Sequence, residues 1–139
     1  MKHMKLLLSL LLVIALTAAT AMIFGSCGKQ NGGEQTAFET REEAVTITVT
    51  VTDDTGKDTV FTIETKAMYL RGALEQENLV QGDESEYGLY VKIVNGVEAD
   101  YDKNGAYWGF YKGGEYLPTG IDTTPIEDGD AFEIVYTKG

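Results

Sequence analysis

The chain has 139 residues, of which 43% are hydrophobic and 24% charged, with 16 glycines and two prolines. This is the composition of one ordinary globular domain, and it excludes collagen-like, wholly disordered and two-domain chains. Past residue 26 the chain keeps 9 of its 11 basic residues and all 22 acidic ones, a formal charge of −13 that repels phosphate backbones and anionic lipid headgroups. Nucleic acid is therefore not an expected partner.

The chain opens with a basic head, Lys2, His3 and Lys5, followed by an almost unbroken apolar run from Leu6 to Phe24. A basic head, an apolar middle and small residues at the end form a secretory signal. Phe24-Gly25-Ser26-Cys27 resembles the bacterial lipobox, with the only cysteine of the chain at the lipidated position. Residues 1–26 are thus expected to be a lipoprotein signal peptide, cut before Cys27, whose acyl chains hold the protein on the extracytoplasmic face of the bacterial cell membrane. Each buried methylene contributes about 0.8 kcal/mol, so two or three chains anchor durably. Residues 27–44, which run from Cys27 through Gly28-Lys29-Gln30-Asn31-Gly32-Gly33, read as a flexible tether. The folded domain is expected over 45–139.

Val45-Thr46-Ile47-Thr48-Val49-Thr50-Val51-Thr52 alternates strictly and predicts a half-buried strand. Asp53-Asp54-Thr55-Gly56-Lys57 is turn chemistry, and Thr59–Glu64 returns as the second arm of a hairpin. The period then changes: Ala67, Leu70, Ala73 and Leu74 mark one face of a helix, with Thr65 placed to cap it. Gly72 within it suits a close approach to a sheet. Gln81–Glu86 reads as a loop, Tyr90–Val94 as a strand, Asn95-Gly96 as a tight hairpin turn and Asp102–Gly105 as another turn. Tyr107–Tyr111 and Phe132–Tyr136 complete the pattern, with a turn at Gly113-Gly114. The order β-β-α-β-β-β predicts an α+β, β-grasp-like fold, one mixed sheet with a single crossing helix.

Three runs carry a family resemblance. Tyr87–Gly96, Tyr107-Trp108-Gly109-Phe110-Tyr111 with Gly114-Glu115, and Gly120-Ile121-Asp122 with Asp128-Gly129-Asp130 are similar, in order, to motifs of the transcobalamin-like C-terminal domain family. Gly113 stands where that family usually has asparagine. The resemblance spans roughly 45–137 and implies the β-grasp fold. It also implies a corrinoid as the first ligand to consider, because in vertebrate vitamin B12 carriers this domain closes over cobalamin opposite a helical barrel. The 113 residues after the signal are too few to include that barrel.

Past the signal the chain has no histidine and no cysteine other than Cys27. Ser-His-Asp and Cys-His nucleophilic sites, the usual zinc ligand sets and a histidine on cobalt are thereby excluded, and no enzyme activity is expected. Asp100, Asp102, Asn104 and Gly105 match the early positions of a calcium loop, but the twelfth position is Tyr111, so a plain turn and no metal is the expectation. Strand alternation sends Trp108 and Phe110 to one face, as a core pair, and Tyr107, Gly109 and Tyr111 to the other. The two tyrosines flanking Gly109 are the candidate ligand surface, with Tyr90, Tyr101 and Tyr116 on nearby segments placed to extend it. Two functions follow: a lipoprotein that captures a cofactor-sized ligand, such as a corrinoid, for a membrane transporter, or an envelope interaction module that binds protein or polysaccharide.

Overall fold

The computed structural model describes residues 36–139; the signal peptide, Cys27 and the glycine-rich start of the tether lie outside them. No helix among the described residues is long and apolar enough to cross a membrane. A short 3-10 turn, Thr36–Phe38, leads into β1, Thr40–Thr52, so the first strand begins five residues before the alternation at Val45.

Strand β1 pairs antiparallel with β2, Asp58–Ala67, from Thr52↔Asp58 to Val45↔Thr65. The turn between them is built around Asp53, whose Oδ1 accepts from the Thr55 and Lys57 amides at 2.8 and 3.0 Å and from the Thr55 hydroxyl at 2.6 Å. Those bonds, the hydroxyl's first, hold the Asp53 carboxyl below its ordinary range. After β2 comes helix α1, Leu70–Gln76, then β3, Val80–Ser85, β4, Gly88–Val94, and β5, Val97–Glu98. One helical turn, α2, Tyr101–Asn104, precedes β6, Ala106–Lys112, β7, Glu115–Tyr116, and the closing β8, Ala131–Lys138.

The fold is α+β. Five strands form a mixed sheet in the order β2-β1-β8-β6-β7, with β1 and β8 parallel at its centre. Its inner face presents Ile47, Val49, Val51, Ile63, Phe132 and Ile134, and the helix covers them with Leu70, Ala73 and Leu74, all of these essentially inaccessible to solvent. Gly72 lets the helix approach: a Cβ there would stand 3.0 Å from the Ala67 Cβ and 3.1 Å from the Ala37 carbonyl.

Three differences from the sequence expectations are physical. The sheet is not alone, because β3, β4 and β5 form a second, three-stranded sheet. Strand β3 occupies the expected loop, and five of its six residues are exposed, so it carries no apolar alternation; its regularity comes from pairing with β4. Gly82 is required there, since a Cβ would lie 1.9 Å from the Tyr90 carbonyl oxygen. Thr65 does not cap the helix: it lies in β2, donates to Gln76 Oε1 at 2.7 Å and accepts from the Ala67 amide at 3.0 Å, while Tyr69 takes the N-cap position without a side-chain bond. The Asn95-Gly96 turn matches expectation, with φ of 48° and 80°, the left-handed pair that a two-residue hairpin needs.

Candidate functional site

Asp102–Gly105 forms a helical turn, and the Asp100 and Asn104 side-chain oxygens bond the backbone. Asp100 caps it by accepting from the Asp102 amide at 3.1 Å, and Gly105 closes it at φ 66°. Asn104 Oδ1 accepts from the Asp100 and Ala106 amides at 3.0 and 3.2 Å. Lys92 Nζ stands 3.5 Å from Asp100 and 2.7 Å from Asp83. Burial pushes the Asp100 carboxyl up, but the Asp102 amide and the Lys92 ammonium outweigh it and hold the group below its ordinary range. Asp100 and Asn104 are thus engaged in capping and pairing, while the Asp102 side chain is exposed; no cluster of three His, Cys, Asp or Glu suited to a metal occurs among the described residues.

A second charged centre ties the helix to the three-stranded sheet and to the loop before β8. Arg71 on α1, its side chain 8% exposed, donates from Nε to Glu75 at 2.9 Å and from Nη1 to Asp122 at 2.7 Å, and pairs with Glu84 on β3. Burial would lower its pKa, but the three carboxylates override that and raise it, so the guanidinium is permanently charged. Asp122 also accepts from the Leu89 amide at 2.9 Å, and Gly88, at φ 100°, leaves room for its carboxylate. This network fixes the start of β4 against the loop that precedes β8.

A concavity lies between β4 and β6. It is a groove of about 520 Å3, walled on one side by Leu89, Tyr90 and Val91 and on the other by Tyr107, Trp108 and Phe110. Tyr101 stands on α2, and Tyr116 and the segment Leu117–Ile121 complete the rim. That segment is held by the Leu117 amide donating to the Phe110 carbonyl at 2.9 Å. Trp108 ties the walls together: its indole N–H donates to the Lys92 carbonyl on β4 at 3.2 Å, and its ring meets Tyr136 edge-on at 5.4 Å. Volumes of roughly 300–1,000 Å3 with apolar walls and a few polar groups are typical of small-molecule sites.

The structure therefore brings together Tyr107, Tyr90, Tyr101 and Tyr116 of the expected surface and adds the Leu117–Ile121 segment. Gly109 and Tyr111 do not line the groove. The expected gap between the two flanking tyrosines is closed, because the Tyr111 ring folds over Gly109: a Cβ on that glycine would lie 3.0 Å from Tyr111 Cε2. Tyr111 instead supports the rim, packing edge-on against Tyr116 at 5.5 Å. Trp108 and Phe110, expected only as core, also form a wall. The signal for the missed rim is faint, since Leu117-Pro118-Thr119-Gly120-Ile121 follows neither a helical nor a strand period.

A domain model described as Domain of unknown function (DUF4430) matches residues 68–138, from the loop before α1 to the end of β8. The chain belongs to the DUF4430 family. A solved structure from Ruminococcus gnavus ATCC 29149, provisionally described as a metal binding protein, is 44% identical. The match covers 68% of this chain and 98% of that one, with a TM-score of 0.66. Haptocorrin in complex with Cbi is similar in fold, with a TM-score of 0.60 at 16% identity over 81% of this chain. The match spans 28% of haptocorrin's length. No curated protein matches the chain. The resemblance drawn from the three sequence motifs is therefore supported at the level of fold.

Proposed function

We propose that the DUF4430 domain is the capture end of a lipid-anchored protein, held at the outer face of the bacterial membrane through Cys27, and that its aromatic groove binds a flat, cofactor-sized molecule. A corrinoid is the first candidate, and a membrane transporter is the recipient. The observation that carries this reading is the groove itself: four tyrosines, a tryptophan and a phenylalanine around one open volume of about 520 Å3. Tyrosine offers an apolar ring and a polar tip, a combination suited to a macrocycle with polar edges. The fold shared with haptocorrin, solved in complex with Cbi, supports the same ligand class. Metal binding is named for the Ruminococcus gnavus relative; here Asp122 and Asp83 pair with Arg71 and Lys92, and Asp100 accepts from the Asp102 amide.

Because no histidine follows residue 3, cobalt has no histidine ligand from the domain, and contacts must come from rings and hydrogen bonds at the macrocycle's edge. Affinity is expected to be modest and equal for cobalamin and cobinamide within a few-fold, independent of the lower base. A calorimetric titration with both checks this; silence with either ligand at high micromolar protein would favour the envelope interaction module instead. The anchor is tested separately. Cys27→Ser is expected to abolish acylation and leave uncleaved precursor or protein released to the medium, read by mass spectrometry of cell fractions. A normally processed, acylated Cys27→Ser protein would refute the anchor.

A further inference from the structure

The groove is surrounded by an acidic protein, yet no charged side chain lines it. Its polar groups are neutral: the hydroxyls of Tyr90, Tyr101, Tyr107, Tyr116 and Thr119, together with the open edge of β6. That edge follows from the ladder. Strand β7 pairs only with Tyr111 and Lys112, and Leu117 takes the Phe110 carbonyl. In an antiparallel strand alternate residues turn their N–H and C=O the same way, so Trp108 directs both groups to the side on which Phe110 accepts from Leu117. No strand pairs with Trp108 on that side among the described residues. Nearby Lys92 places its ammonium 5.8 Å from the centre of the Tyr90 ring, but Asp83 and Asp100 already hold it. Asp122, behind Leu89, is taken by Arg71 and the Leu89 amide.

We propose that this groove selects uncharged ligands whose rims carry amide-type donors and acceptors, and turns away their carboxylate counterparts. The inference rests on the capture reading and names the chemistry that site accepts. A neutral amide can exchange both a donor and an acceptor bond with the Trp108 main chain and with tyrosyl hydroxyls. A carboxylate entering the same place would lose water, find no cation and face the field of a strongly acidic surface.

The experiment compares dicyanocobinamide, which is neutral with an amidated periphery, with dicyanocobyrinic acid, in which those positions are carboxylates, by equilibrium dialysis against the full chain in mild detergent. Cobinamide is expected to bind more than about tenfold tighter at low salt. The ratio should narrow as salt screens the repulsion. Thr119→Lys, which sets a cation on the rim, should raise the affinity for cobyrinic acid several-fold. Equal affinity for the two ligands in the unmodified protein, or no gain by Thr119→Lys, would overturn the selectivity. Failure of both ligands to bind is a different result and would remove the capture reading itself.

Discussion

Replacing Arg71 with alanine is expected to destabilise the domain by about 3–5 kcal/mol, the usual cost of removing one partner from a buried ionic group. The guanidinium is shielded from water, sits 4.8 Å from the centre of the Phe38 ring and serves three carboxylates. Its loss leaves Asp122 without its cation next to the Leu89 amide and removes the side-chain tie from the helix to β3, while the Leu70, Arg71 and Ile126 amides still hold the 121–126 segment to the start of the helix. Arg71→Met, which restores bulk but not charge, should remain costly, because the carboxylates stay unpaired. Glu84→Gln provides the contrast: that side chain is 67% exposed, so the change should cost no more than about 1 kcal/mol. Urea unfolding midpoints separate these outcomes. A loss below about 1 kcal/mol for Arg71→Ala would show that the network does not hold the helix to β3 and the Asp122 loop.

Trp108→Ala is expected to cost a similar amount, about 3–5 kcal/mol, by a different route. The ring is 5% exposed and fills the space between β4, β6 and Tyr136, so its removal leaves a cavity that a rigid pair of sheets closes poorly. Trp108→Phe keeps most of that volume and loses the indole donor. The Lys92 carbonyl still accepts from the Ala99 amide at 2.8 Å, so this second change should cost only about 1 kcal/mol. Thermal and urea denaturation of both variants test the contrast. Equal losses for alanine and phenylalanine would assign the stability to the hydrogen bond instead of packing.

What could be read from the sequence was what local chemistry dictates. The Val45–Thr52 alternation is a strand because its valines and isoleucine must face a core while its threonines face water, and that holds along its length. Asn95-Gly96 supplies both left-handed residues its turn requires, and Gly72 marks the helix contact with Ala67. Strand β3 escaped notice because an exposed edge strand needs no apolar face; its partner β4 imposes its shape. Ala67 fits either a strand end or a helix start, and this ambiguity placed the helix one turn too early. The groove was half legible. Alternation assigned Tyr107 and Trp108 to opposite faces, but the Tyr111 ring's turn over Gly109 is a rotamer, which period-two patterning does not determine. The remaining wall comes from β4 and Leu117–Ile121, brought to β6 by tertiary pairing.

The central claim is that binding occurs in the groove between β4 and β6 and not on the outer face of the large sheet. The most direct measurement is a cobinamide titration of the unmodified protein beside Tyr107→Ala, Tyr90→Ala and Tyr111→Ala, each checked for folding by circular dichroism. Tyr90 and Tyr107 line the groove, whereas Tyr111 only supports its rim. Loss of either lining tyrosine is expected to weaken binding by about 1–2 kcal/mol, and loss of Tyr111 by no more than about 0.5 kcal/mol. An unmodified protein that binds, with Tyr111→Ala weakened as much as or more than Tyr107→Ala and Tyr90→Ala, would contradict the account.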